Sequence, residues 1–269
     1  MVNTGDTVIQ PAYLVFDMET IPDGKLIQMV KYSQENISPE EAIARAQKEA
    51  RERSPSNSDF LPVSYHLPVA VCVMRVGKDY RIQAVTSLDA PQFRTREIAR
   101  DFWRGLSLYN KANLVTFNGR GFDLPVMELM AFRYGLGNSD YFRRSRTRYN
   151  GQHIDLLDFF TNFGACRLVG GLNLFSKILG KPGKMELAGD QVYQFYQAGK
   201  IREINDYCLF DTLDTYFVFL RSRVIIGELA LEQEQDLVAQ GKQWLLEKAE
   251  SQPALHQYLQ YWGSWEPWP

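Results

Sequence analysis

The sequence predicts an α/β domain built on a mixed β-sheet, followed by a helical C-terminal extension. Three observations carry this prediction. Short apolar runs of strand length fall in the first half of the chain, at residues 13–16, 69–76, 80–87 and 113–117. Helical periodicity enters between the third and fourth runs and dominates from residue 124 onward, the mixture expected of an α/β fold. No Gly/Ser- or Pro-rich linker divides the chain. The expected organisation is therefore one domain over residues 1–221, with residues 222–269 as helices packed on it.

Taken in order, Tyr-Leu-Val-Phe at 13–16 is a buried strand that ends at Asp17-Met18-Glu19. The polar stretch 23–66 contains Ser38-Pro39-Glu40-Glu41, with Ser at an N-cap, Pro at the first helical position and Glu three residues after the cap. That signature starts a charged surface helix running to residue 53, and Ser-Pro-Ser-Asn-Ser then reads as loop. Runs 69–76 and 80–87 flank Gly77-Lys78-Asp79 and make a hairpin. Ile98, Phe102, Leu106 and Tyr109 recur at helical spacing. Strand 113–117 leads through a turn into a helix over 124–134, and an Arg-rich loop follows. Short helical pieces are expected at 156–163 and 172–179, then long helices over 201–220 and 228–250. The tail carries Trp262, Trp265 and Trp268, which suit either packing onto the domain or a partner-binding role.

Composition excludes several classes. With 30 basic against 32 acidic residues, the net charge of −2 gives no overall attraction to nucleic acid, so such binding requires a local basic patch. Cys72, Cys166 and Cys208 are odd in number and lack a C-x-x-C pair, which argues against a disulfide framework or structural zinc and fits a reducing compartment. The N-terminal residues lack the regions of a signal peptide. No apolar run reaches the roughly 20 residues of a membrane span. A soluble cytoplasmic protein with no membrane partner is expected.

Three acidic constellations stand out. Residues two apart in a strand share a face, so Asp17 and Glu19 can converge on one point, where their repulsion calls for a cation; a polar strand end facing solvent is the plainer reading. Asn118-Gly119 marks a tight turn, after which Asp123 opens a helix whose dipole favours an anion. That segment also fits a simply well-capped turn. Tyr207 and Asp211, four residues apart, stack on one helix face, with Asp214 nearby as a rival carboxylate. By itself this pair is no more than the polar edge of an amphipathic helix.

In order, the segments Phe-Asp-Met-Glu-Thr-Ile-Pro, Phe-Asn-Gly-Arg-Gly-Phe-Asp-Leu-Pro and Tyr-Cys-Leu-Phe-Asp-Thr-Leu-Asp-Thr-Tyr resemble the exonuclease motifs of the DEDD superfamily. The likeness spans residues 13–221 and is to the tyrosine-containing, or DEDDy, branch: Tyr207 precedes Asp211 by four, and Asp206 stands where the other branch has His. The group most similar is that of stand-alone proteins related to the proofreading domain of B-family DNA polymerases. His153-Ile-Asp-Leu-Leu-Asp-Phe-Phe and the stretch 172–184 are also similar to that group. The resemblance implies a ribonuclease H-like fold and a 3′-5′ exonuclease that releases nucleoside 5′-monophosphates. It implies two divalent cations, Mg²⁺ or Mn²⁺, whose preference for oxygen ligands suits carboxylates. On the same resemblance Asp17 bridges both ions, Glu19 and Asp211 complete the site of the nucleophilic water, and Asp123 holds the second ion. Tyr207 then orients the water; with an ordinary pKa near 10 it is a poor base at neutral pH.

Expected substrate contacts are Met18 and Phe122 beside the acids, Asn118 at the turn, Arg146 and Arg148 in the Arg-rich loop, and Lys184 in the turn Lys181-Pro182-Gly183-Lys184. The loop arginines, interleaved with Tyr141, Phe142 and Tyr149, can neutralise phosphates while the rings stack bases, or can pair with acids. The expected partner is nucleic acid, DNA 3′ ends by the resemblance, together with a replication or repair protein, since these residues include no polymerase domain. An exoribonuclease or a non-catalytic nucleic-acid-binding module of the same fold are the alternatives. His66, His153 and His256 share no metal-ligand spacing and read as structural residues.

Overall fold

The computed structural model describes residues 10–147, 151–185 and 191–267. Among them five strands form one sheet in the order β3-β2-β1-β4-β5. The strands are β1 (Tyr13–Pro22), β2 (His66–Val76), β3 (Ile82–Ser87), β4 (Asn113–Thr116) and β5 (His153–Asp155). β1, β2 and β3 are antiparallel neighbours, whereas β4 runs parallel to β1 and β5 parallel to β4. The sheet is mixed and flanked by helices, as predicted, and is consistent with a ribonuclease H-like fold.

The alternation of β1 sorts the core into two layers. Leu14, Phe16 and Met18 pack with α3 (Thr95–Leu108) and α4 (Asp123–Tyr134) on one face. Val15 packs on the other face with α8 (Ile201–Ile225), and the period of two carries Asp17 and Glu19 to that same face. The register of β1 with β4 ends at Val15–Val115, and β4 itself ends at Thr116, whereas β1 continues to Pro22. The two acids therefore lie where the parallel strands end, the usual crevice for ligands in open α/β sheets. The β1–β2 pairing shifts register between Glu19 and Thr20.

α8 is buried nearly all round from Ile204 to Arg223, as befits a helix covered on every side. Tyr216, Phe217 and Phe219 are fully buried, each contributing roughly 1.5–3 kcal/mol. α9 (Leu231–Ala249) and α10 (Ala254–Gln260) close over it through Leu237, Leu245, Leu255 and Tyr258. The tail continues the same layer. Trp262 meets Phe217 edge-on at 5.0 Å, and the Gly263 amide donates to Gly180 O at 2.8 Å; Trp268 lies outside the described residues.

Ahead of β2, α2 (Pro39–Arg53) begins as predicted, the Ser38 hydroxyl accepting from the Glu41 amide at 3.1 Å. A helix not anticipated, α1 (Gly24–Lys31), precedes it, capped by Asp23, and packs Ile27 against Ala42, Ile43 and Ala46. β5 is also unanticipated; it leads into α5 (Leu156–Phe160). α6 (Gly171–Ile178) and α7 (Val192–Gln197) complete the α8 side. The Arg-rich loop opens with a π-helical turn at Tyr141–Ser145. No described helix is long and apolar enough to cross a membrane.

Candidate active site

Asp17 and Glu19 project from β1, and Asp211 from α8, so that carboxylate oxygens of all three lie within 4.8 Å of one another. Burial raises the pKa of Asp17 well above the usual carboxylate range, and Asp123, Asp211 and Glu19 raise it further. Glu19 is raised by burial, then by Asp211 and Asp123. The same cause, burial, brings Asp211 to about 7; Asp214 adds to the rise, while the neighbouring Tyr207 hydroxyl and the Lys184 charge oppose it. Together they form a buried acidic cluster in want of counter-charge. An all-oxygen donor set of this kind fits hard divalent cations.

Asp123 joins the group from the other layer. Its turn is built by Asn118, in the left-handed region at φ 67°, and by Gly119, where a Cβ would stand 2.4 Å from Thr116 Oγ1. The Asp155 carboxylate locks the turn, accepting from the Asn118 amide at 2.9 Å and the Arg120 amide at 2.8 Å. It also caps α5 through the Leu157 amide at 3.0 Å. Asp123 thereby starts α4 inside the protein, where burial lifts its pKa to about 7 although the nearby amides of Asp123 and Met18 act to lower it. Its charge acts on both Asp17 and Glu19.

Tyr207 is 7% exposed, and its hydroxyl lies beside the Asp211 carboxylate. Burial, followed by the charges of Asp211, Glu19 and Asp17, raises its pKa, so the phenol keeps its proton and serves as a donor. Cys208, the next residue, points away to bond Asp17 O at 3.2 Å from a fully buried position. Asp214 also turns away: its Oδ1 accepts from Tyr258 at 2.6 Å, while Oδ2 faces Ser176 and Gly183 without a well-formed hydrogen bond. It is a core carboxylate rather than a rival in the cluster.

The expected substrate contacts divide. Lys184 is exposed on a loop fixed by its amide's bond to Asn173 Oδ1 at 2.8 Å, and its charge reaches Glu19 and Asp211. Asn118 and Phe122 line a groove of about 760 Å³ next to Asp123, which they share with Phe60, Leu61 and Tyr65. There the Phe122 ring lies 5.2 Å from His66 and 5.5 Å from Phe60, itself 60% exposed. His66 is held between Thr20 Oγ1 at 2.8 Å and Leu61 O at 3.1 Å.

One expectation is corrected, and another meets its plainer alternative, an arginine paired with an acid. Met18 is 4% exposed and faces the α3–α4 layer, because strand alternation turns it opposite to Asp17 and Glu19. Its side chain is core, and only its amide reaches the site. Arg146 is held by Glu128 in a two-pronged ion pair at 2.8 and 2.9 Å, and Glu128 also accepts from Tyr141 at 2.8 Å. Tyr141 and Phe142 pack on Trp103 instead of presenting free faces. Arg148 and Tyr149 lie outside the described residues. Asp155 has no role in the reading of the sequence, yet the structure makes it central; its signal is an N-cap Asp before Leu156-Leu157-Asp158.

The mixed sheet thus gathers buried acids at its parallel-strand ends into a cluster whose oxygen donors fit divalent cations. The chain belongs to the family described as predicted 3′-5′ exonucleases related to the exonuclease domain of PolB, whose model matches residues 58–262. The match contains Asp123, Tyr207 and Asp211, and starts after Asp17 and Glu19. Among solved structures the chain is similar to the family B DNA polymerase from the hyperthermophilic archaeon Pyrobaculum calidifontis, at 16% identity and a TM-score of 0.49. That similarity covers 89% of this chain but 29% of the polymerase. No curated relative matches the chain.

Proposed function

We propose that this protein is a 3′-5′ exonuclease of the DEDDy type that cleaves the terminal phosphodiester of a DNA strand, single-stranded or frayed, and releases nucleoside 5′-monophosphates. The observation that carries this reading is the convergence of Asp17, Glu19 and Asp211 within 4.8 Å, with the charge of Asp123 acting on Asp17 and Glu19 and the Tyr207 hydroxyl beside Asp211. Two bound divalent ions, Mg²⁺ or Mn²⁺, would supply an activated water and stabilise the departing oxygen.

The chain's own residues do the rest. Asp17, Glu19, Asp123 and Asp211 would hold the cations, whose charge would relieve the burial and repulsion that raise their pKa values. The Tyr207 hydroxyl, protonated at neutral pH, orients the attacking water as a donor. Phe122 and the exposed Phe60 offer ring faces to the last bases, and Asn118 lies at the same groove. Lys184 supplies a cation for a phosphate beside the acids. Residues 1–221 form the exonuclease domain and 222–269 its helical cover. The reducing cytoplasm suits three free cysteines, and a replication or repair partner would bring the 3′ end.

The test is digestion of 3′- and 5′-labelled DNA and RNA oligomers with Mg²⁺, Mn²⁺ or chelator. DNA should shorten stepwise from its 3′ end, and chelator should stop it. Preferential digestion of RNA would reassign the substrate, and inert wild-type protein in both metals would defeat the reading.

A further inference from the structure

Beyond the acids along α8, a second cavity of about 250 Å³ opens between α8, α9 and the C-terminal tail. Lys181, Arg221 and Lys242 line it, together with Glu234, Trp262 and Trp265. Three features set it apart from an ordinary surface dent. Lys181 is 4% exposed, and among the described residues its ammonium, with three protons to donate, bonds only Leu179 O at 3.1 Å. Arg221 Nη2 meets Glu234 at 3.1 Å, but its buried Nε has no acceptor among the described residues. The indoles of Trp262 and Trp265 hold cations against their faces, Lys181 at 4.2 Å, Lys242 at 5.7 Å and Arg221 at 4.2 Å.

Aromatic faces attract cations but carry no net charge, so the indoles position the three cations without neutralising them. The carboxylates that face Lys181 are Glu234 of α9 and Asp214 of α8, and both favour its charged form; Lys242 and Arg221 oppose it. Burial outweighs the carboxylates and lowers the Lys181 pKa to about 8. The cavity thus combines excess positive charge, unused buried donors and room for a small group. A buried donor left without an acceptor is costly, and an oxyanion would remove that cost.

We propose that this cavity is an anion site that takes a phosphate group, free or carried by a mononucleotide, between Lys181, Arg221 and Lys242. The site is separate from the carboxylate cluster and independent of the nuclease assignment. It is nevertheless tied to that cluster in sequence, because Lys181 and Lys184 are the two ends of one four-residue turn.

The experiment titrates the full chain, dialysed free of metal, with inorganic phosphate, thymidine 5′-monophosphate and thymidine, following tryptophan fluorescence. Saturable binding of both phosphates and not of thymidine is expected. Equal binding of phosphate and nucleotide identifies free phosphate as sufficient; tighter nucleotide binding adds a base contact. Anion binding needs the Lys181 ammonium, so affinity should be full below pH 8 and fall as pH rises through it. Lys242→Ala, an exposed change compatible with folding, should weaken binding about tenfold. Lys181→Met should weaken it at least as much and flatten the pH profile, and Asp211→Asn should leave it unchanged. The proposal is overturned if neither phosphate saturates, if thymidine binds as well as its monophosphate, if Lys242→Ala binds like wild type, or if Asp211→Asn abolishes binding.

Discussion

Helix α8 borders two concentrations of like charge, and they are built differently. On its β1 side, Asp17, Glu19, Asp123 and Asp211 crowd together, and the Lys184 charge acts on Glu19 and Asp211. On its α9 side, Lys181, Arg221 and Lys242 are mixed with Glu234 and Asp214 and laid on indole rings. The basic group keeps a positive excess but is partly compensated by the protein. The acidic group is compensated less: every carboxylate in it has its pKa raised. Buried charge that a fold leaves uncompensated is costly, and its retention marks a site where something else supplies the balance.

The largest expected effect comes from removing part of the uncompensated cluster. Asp17→Ala or Asp211→Ala should lower cleavage at least about a thousandfold, the upper end of what one preorganised electrostatic group contributes. The fold should survive, because each change deletes a like charge. Thermal melting of the metal-free variants at pH 8 should match or exceed that of wild type. A variant that cleaves at the wild-type rate with Mg²⁺ would remove that residue from the site. Tyr207→Phe keeps the ring and deletes one donor beside the carboxylates, and a hydrogen bond from such a donor to a charged group is worth about 1.5–3 kcal/mol. Cleavage should fall by roughly 10- to 150-fold, less than on removal of either Asp.

The comparison also predicts how stability moves with pH. Asp123 and Asp211 have folded-state pKa values of about 7, above those of an unfolded chain. Between the unfolded value near 4 and about 7 the folded protein binds more protons, so metal-free stability should fall as pH rises through that window. Divalent ions at a hundredfold excess over Kd should add about 2.7 kcal/mol at pH 8, roughly 5–10 °C in Tm for a chain of this size. Calorimetry at pH 5 and pH 8, with and without Mn²⁺, checks both signs. A metal-free protein more stable at pH 8 than at pH 5 would mean the acids are already compensated.

Much of this arrangement is legible in the sequence because its acids sit beside strong local signals. Asp17 and Glu19 end an apolar run, Asp123 follows an Asn-Gly turn, and Tyr207 and Asp211 share a helix face. The same period of two that unites Asp17 and Glu19 turns Met18 away, so its burial is legible too. α1 and β5 are not: α1 buries only Gly24 and Ile27, and β5 has three residues, too few to show a period. The partner of Arg146 is unreadable for another reason. Glu128 is 18 residues away and meets it only once α4 and the π-helical turn are packed together. Local pattern places elements and aims their faces; which charges meet across elements is fixed by packing.

The smallest effect separates two cations that sequence alone treats alike. Lys184 acts on Glu19 and Asp211, and no carboxylate neutralises it in an ion pair among the described residues. Arg146 is 60% exposed and paired with Glu128. Lys184→Ala should therefore raise KM for a short oligomer several-fold and make KM less sensitive to salt, since that sensitivity scales with the number of phosphates the protein neutralises. It should also make the metal-free carboxylates still harder to ionise. Arg146→Ala breaks a largely exposed pair of about 0–1 kcal/mol and should leave KM within about twofold of wild type. KM measured at two ionic strengths for both variants decides the matter. If Arg146→Ala proves the more damaging, the strand runs over α4 and the π-helical turn, and Glu128 holds Arg146 in position for it.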